Sequence, residues 1–351
     1  MLKATFQKYT LQFKQPSGTS RGVLRTKDSW FIFLQHSDNP AITGIGECGL
    51  LKGLSADDVP EYEVKVAEVC QTINNHAYWL SEGLRTFPSI HFGLEIALKD
   101  LANQGSKILF PSDFTAKEMP VPINGLIWMG EKKFMFDQIK TKLAAGFDCI
   151  KLKIGAIDFA AELDLLKYIR QQFSAKAIEI RVDANGAFKP TNALEKLKRL
   201  AEFDLHSIEQ PIKQGQLPEM AELCEKTPLP IALDEELIGV FSSDKKRAII
   251  ETIRPQYLIF KPSFIGGYSG TQEWIDLCKK FNTPWWMTSA LESNIGLNAI
   301  AQWTAVLNNP MPQGLGTGQL YTNNIESPLK VEDGGIYYSQ DGQWSLSNLR
   351  N

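Results

Sequence analysis

The feature that most constrains this chain is a beat. From residue 121 onward, short apolar runs recur at Val121–Ile127, Cys149–Ile154, Ile178–Ala184, Ser207–Gln210, Ile231–Asp234, Tyr257–Lys261 and Pro284–Ser289. Their starts lie 28, 29, 29, 24, 26 and 27 residues apart. Between them run stretches of helical period such as Ile157–Phe173 and Thr191–Phe203. A strand followed by a helix, repeated, implies a parallel sheet. Seven such strands, with an eighth expected near Gly314–Gly318, predict a (β/α)8 barrel. A doubly wound sheet would want a glycine-rich phosphate loop after its first strand, and Asn124-Gly125-Leu126-Ile127 is not one. At 43% hydrophobic and 22% charged, the composition is that of an ordinary globular protein.

The N-terminal third reads differently. Strand-like runs at Leu2–Lys14, Ser29–Gln35 and Ile42–Cys48 are followed by helical patterns at about 58–82 and 88–103. Ile90, Leu94, Ala97, Leu98 and Leu101 form a helical stripe in the second. The segment Gln15–Gly22 reads as a polar loop too long for a tight hairpin. Pro111, Pro120 and Pro122 mark the passage to the repeating region.

Charge and cysteines narrow the function classes. With 37 Lys and Arg against 40 Asp and Glu, the net charge is −3, so no broad positive field invites nucleic acid. No apolar run reaches the roughly 18–20 residues of a membrane span, and Met1–Gln7 lacks the apolar core of a signal peptide. The five cysteines, at 48, 70, 149, 224 and 278, are odd in number and lack metal-site spacing. The expectation is a reduced, cytoplasmic protein.

Barrel active sites lie at the C-terminal strand ends. The second strand ends Lys151-Leu152-Lys153, the third carries Asp183, the fourth Glu209, the fifth Asp234 and the sixth Lys261. Alternation puts Lys151 and Lys153 on one face, with Leu152 and Ile154 suited to the helix-packed exterior. Asp183, Glu209 and Asp234 come from consecutive strands and can converge. Three bare carboxylates in a confined site would repel, so the set suits a hard divalent cation such as Mg²⁺. Strands two and six are opposite in an eight-strand ring, which sets Lys153 and Lys261 on either side of anything held there. Taken singly, a strand-end lysine is ordinarily a solvated side chain, and a strand-end aspartate a turn or cap. Charged sites on five successive strands, all at one end, are poorly explained that way. The histidines at 36, 76, 91 and 206 receive no role.

This ordered set resembles the enolase superfamily, and lysines on opposite faces resemble its muconate-lactonizing subgroup. That subgroup includes cycloisomerases, dipeptide and N-acylamino acid epimerases, and o-succinylbenzoate synthases. Gly18–Leu24 followed by Trp30, Lys261–Gly267, and Ser289–Gly296 with Gly314–Gly318 most resemble the synthase family. The resemblance implies an enolase-like α/β fold: an α+β capping domain at 1–112, with 322–351 packing back onto it, and a modified (β/α)8 TIM barrel at 113–321. It implies Mg²⁺, replaceable by Mn²⁺, on Asp183, Glu209 and Asp234. It also implies a small-molecule carboxylate substrate touched by Arg21, Asn185, Ser263, Gly266, Ser289 and Ser293.

The implied reaction is dehydration of 2-succinyl-6-hydroxy-2,4-cyclohexadiene-1-carboxylate to 2-succinylbenzoate, in menaquinone biosynthesis. Lys153 would be the base, its pKa lowered by Lys151 and the metal, and Lys261 an ammonium on the other face. Residues 16–24 are expected to be poorly ordered without ligand and to close over the substrate. A dipeptide epimerase would want an acid near the eighth strand. Gly314–Ile325 has none, although Glu292 could substitute. An N-acylamino acid racemase, a Schiff-base aldolase and a non-catalytic barrel remain as alternatives. Whether the protein is a monomer or a homo-oligomer stays open.

Overall fold

A computed structural model describes residues 1–19, 22–128 and 130–349. Three strands open the chain: β1 (Leu2–Thr19), β2 (Gly22–His36) and β3 (Asn39–Cys48), antiparallel in the order β1-β2-β3. Five consecutive residues of β2, Trp30 to Leu34, are buried because both faces of this sheet are covered. Trp30, Ile32 and Leu34 pack with Val66, Val69 and Leu94 of the helices that follow. Phe31 and Phe33 pack with Ile45, Ile295, Ile325 and Leu349. The helix Pro88–Ala102 lies so close to β3 that a Cβ on Gly44 would fall 2.3 Å from the Ala97 carbonyl oxygen, and one on Gly46 would fall 1.9 Å from that of Gly93. Only glycine fits there.

The expected loop at Gln15–Gly22 is instead the far end of a long hairpin. After a register shift between Gln12 and Ser17, pairing continues through Ser17↔Leu24, Gly18↔Val23 and Thr19↔Gly22. Apart from buried Ser17, the residues of these arms whose burial is described are exposed or half-buried, so the alternation that betrays a half-buried strand is missing. Of the lid expected at 16–24, Ser20 and Arg21 lie outside the described residues, and with Arg21 the substrate contact expected of it.

The run at Val121–Ile127 also divides. Its first part, β4 (Val121–Pro122), pairs antiparallel with β13 (Gly335–Tyr338), which pairs with β12 (Leu329–Glu332). Its second part, β5 (Gly125–Ile127), begins a parallel sheet. The sheet runs on in sequence order through β6 (Cys149–Lys153), β7 (Glu179–Asp183), β8 (Ser207–Glu209), β9 (Ile231–Leu233), β10 (Tyr257–Phe260) and β11 (Trp285–Met287). Helices such as Phe159–Gln172 and Pro190–Ala201 lie between the strands and share the core of Leu152, Ile180, Val182 and Ile208.

Gln313 and Gly314 join the two edges of the curled sheet. Asn124 N–H donates to Gln313 O at 2.9 Å, and Gly314 N–H donates to Met287 O at 2.7 Å. The eighth strand is thus reduced to two bridging residues. Gly314 crosses Thr288 so closely that a Cβ would sit 2.2 Å from its hydroxyl. After the barrel the chain returns to the first sheet, where Lys14 N–H donates to Leu320 O at 2.8 Å and Thr322 N–H to Gln12 O at 2.9 Å. All five cysteines are buried and unpaired. Among the described residues, no helix is long and apolar enough to cross a membrane.

One buried acid in the loop after β3 gives a stability prediction. Asp57 Oδ2 accepts from Ser89 N–H at 2.9 Å and Ser89 Oγ at 2.6 Å, while Oδ1 is buried without a partner among the described residues. Burial pushes this carboxyl up to about 6. A raised folded value means that its stabilising contribution is complete below the ordinary value of 3.8 and is lost as pH rises through 6. By pH 8 the loss is of order 3 kcal/mol. Asp57→Asn should therefore gain stability relative to the wild type between pH 5 and pH 8, by about 1–3 kcal/mol. Thermal melts of both proteins at the two pH values check this, and a difference that does not move with pH overturns it.

Candidate active site

Parallel pairing places the charged strand ends side by side. Lys153 pairs in register with Asp183, and Asp183 with Glu209. Alternation along β6 sends Lys151 and Lys153 to the barrel axis, while Leu152 and Ile154 enter the core beneath the helices. Strand β9 stops at Leu233, and Asp234 leaves strand geometry at φ −126° and ψ −75° before the turn Glu235–Leu237. Strand β10 stops at Phe260, leaving Lys261 at the head of the short helix Pro262–Ile265.

The lysines and acids form one buried ionic cluster. Lys151 Nζ bonds Glu209 Oε2 and lies 3.0 Å from Asp183 Oδ2. Lys153 Nζ donates to Asp183 Oδ2 at 2.6 Å and to Asn185 Oδ1 at 2.8 Å. Lys261 Nζ pairs with Asp234 Oδ2 on the other side. Burial works against Lys151's ammonium, but the Asp183 and Glu209 carboxylates overcome it and hold its pKa above the ordinary lysine value. Lys261 is raised the same way, by Asp234 and then Glu209. Burial would raise Asp183 and Asp234 too, yet Lys151 and Lys153 pull the first well down and Lys261 lowers the second. Glu209 goes the other way: burial and the neighbouring Asp183 charge push its carboxyl well up.

The donor set fits a divalent cation. Carboxylate oxygens of Glu209, Asp234 and Glu235 lie within 4.8 Å of one another, all three residues buried. Glu209 Oε1 is buried with no hydrogen-bond partner among the described residues. A buried carboxylate oxygen with no donor, among other carboxylates, suits a hard cation. The sequence reading did not assign Glu235. Strict alternation would have turned it from Asp234's face, but the strand ends first and the turn brings it round, where its Oε1 accepts from Asn185 Nδ2 at 3.0 Å.

A cavity of about 270 Å³ opens above the cluster. Lys151, Lys153, Asn185 and Lys261 line its floor, and Leu126, Trp128, Phe264, Ser289, Leu291 and Gly316 its sides. Gly22–Leu24 of the hairpin and Leu51–Leu54 of the loop after β3 also belong to the lining. Of the residues expected to touch substrate, Asn185 and Ser289 reach this cavity. Ser263, Gly266 and Ser293 do not line it. Ser263 is fully buried, donating to Glu292 Oε1 at 2.6 Å. Ser293 caps the helix Asn294–Leu307 and donates to Glu47 Oε2 at 2.5 Å. Gly266, at φ 99°, makes the left-handed turn between two helices. The rim residues Leu51, Lys52 and Leu54 carried no sequence signal beyond their place after a strand.

The comparisons agree with this geometry. Residues 135–342, more than half of the chain, match the family described as Enolase C-terminal domain-like. The chain is 47% identical to the o-succinylbenzoate synthase of Desulfotalea psychrophila, over 95% of this chain and 98% of that one. It is 23% identical to the o-succinylbenzoate synthase of Bacillus subtilis, over 96% and 91%. The crystal structure of MenC from Desulfotalea psychrophila superposes with a TM-score of 0.83 at 43% identity, covering 96% of this chain and 99% of that one. On the matched region, the strand-end charges and a near full-length relative, the chain belongs to the enolase superfamily.

Proposed function

We propose that this protein is an o-succinylbenzoate synthase, a lyase that removes water from 2-succinyl-6-hydroxy-2,4-cyclohexadiene-1-carboxylate to give 2-succinylbenzoate for menaquinone biosynthesis. The observation that carries the reading is the pair Lys153 and Lys261 set around a buried carboxylate cluster at the floor of one cavity. The 47% identity to a synthase over 95% of the chain supports it. Among the described residues, no Asp or Glu lines the cavity, which disfavours a substrate carrying an ammonium.

Lys153 acts as the base. Its Nζ takes the proton from C1, next to the ring carboxylate, and the electron pair moves into the ring. The ammonium so formed returns that proton to the C6 hydroxyl, which leaves as water, and the ring becomes aromatic. Lys261, held as ammonium by Asp234, offers positive charge on the other side. Lys151 stays charged between Asp183 and Glu209 and holds them in place. Asp183, Glu209 and Asp234 would hold Mg²⁺ or Mn²⁺, with Glu235 beside them. Bound there, the cation supplies positive charge for the substrate carboxylate as it gains electron density. We assign 1–112 and 322–351 to a capping unit and 113–321 to the barrel, and place the protein in the cytoplasm, where five unpaired thiols are at home.

Supplying the cyclohexadiene with Mg²⁺ and following the absorbance of the aromatic product tests the activity; no product at any metal concentration overturns it. The lysine roles give a second test. Lys261→Arg keeps a cation beside Asp234 and should retain about tenfold more dehydration than Lys261→Ala. Equal rates in the two variants would remove the electrostatic role of Lys261.

A further inference from the structure

Three of the four lysines lining the cavity are already committed. Lys151, Lys153 and Lys261 each contact an acid of the floor cluster. The fourth, Lys52, enters from the rim, is exposed, and has no hydrogen bond or ion pair among the described residues. Its backbone is nonetheless fixed. Leu51 N–H donates to Ser55 Oγ at 2.8 Å, Ser55 N–H to Leu51 O at 2.9 Å, and Gly53 N–H to Asp58 Oδ2 at 2.6 Å. Gly53, at φ +77°, completes this turn. Lys52 is thus an available cation on a braced turn at the mouth.

Leu24, Leu51, Leu54, Phe264 and Leu291 are among the apolar side chains of the same lining. Among the described residues, the cavity therefore presents positive charge at its floor, apolar side chains along its walls and the positive charge of Lys52 at its rim. The substrate proposed above has the matching sequence of parts: a ring carboxylate, an apolar ring with two methylenes, and a terminal carboxylate.

Resting on that reading of the activity, we propose that Lys52 binds the terminal carboxylate of the substrate's side chain and so selects dicarboxylates over monocarboxylates of the same length. Lys52 is a specificity residue, remote from the reacting atoms.

Calorimetry on the Mg²⁺-loaded enzyme tests this with two probes, 2-succinylbenzoate and 2-butanoylbenzoate, which differ by the terminal carboxylate. The wild type should bind the first about fivefold more tightly, the scale of one solvent-exposed charge pair. In Lys52→Met the preference should fall to within about twofold, and Lys52→Arg should restore it. KM for the cyclohexadiene should rise in the Met variant by about the factor that binding loses, with kcat falling less. A preference that survives in Lys52→Met, or one lost in Arg21→Met and kept in Lys52→Met, overturns the assignment. If the wild type makes product and still fails this test, the role of Lys52 alone is wrong. If it neither makes product nor binds 2-succinylbenzoate, the proposed activity falls and the role of Lys52 with it.

Discussion

Lys153→Ala loses dehydration by at least about 10³-fold in kcat, because one amine performs both proton transfers. The fold has little reason to follow. Asp183 keeps Lys151 at 3.0 Å and the Asn185 backbone N–H at 2.9 Å when the Lys153 side chain is cut back. Lys153→Arg discriminates further. A guanidinium can still donate toward Asp183 and Asn185, yet it stays protonated and cannot act as a base. If charge at this position were all that mattered, the arginine variant would work. We expect it to be as inactive as the alanine variant, with KM changed far less than kcat. Rapid-mixing assays of product absorbance, beside circular dichroism of each variant, make the measurement. A Lys153→Ala enzyme that dehydrates at the wild-type rate would assign the base elsewhere.

The parts of this site that the sequence revealed are those whose partners lie on neighbouring strands. Parallel strands buried on both faces read as continuous apolar runs, so a charge at the end of each stood out against Ile150, Val182, Ile208 and Phe260. The parts that stayed hidden depend on distant partners or on broken periodicity. Nothing near Val121 shows that it pairs with Ile336 while Gly125 joins the barrel. Ser293 looks like a ligand-binding serine at a strand end, but its hydroxyl serves Glu47, 246 positions away. Ser263 is likewise used by Glu292. Glu235 was missed because a strand that ends one residue early voids the alternation rule for whatever follows. The hairpin arms around Ser17 and Leu24 carry no buried stripe, so neither period was there to read.

Glu209→Gln should separate stability from function. Glu209 is 2% exposed and lies among acids. Burial and the charge on Asp183 push its carboxyl well up, so without a cation its negative charge is costly. Glutamine removes that charge at nearly the same size, and its amide oxygen can still accept from Lys151. The metal-free variant should thus melt at or above the wild-type temperature. Mg²⁺ changes the comparison. A ligand that binds only the folded state adds stability as RT ln(1 + [L]/Kd), about 2.7 kcal/mol at one hundred times Kd. The wild type should gain several degrees on this account, and Glu209→Gln should gain almost none, because an amide replaces a charged ligand. Asp234→Asn should lose the same metal-dependent rise, and both variants should lose dehydration by about 10³-fold or more. Differential scanning calorimetry with EDTA and with Mg²⁺, paired with the product assay, reads both effects. If Glu209→Gln and Asp234→Asn kept the full Mg²⁺-induced rise in melting temperature, the cation would not sit on these carboxylates.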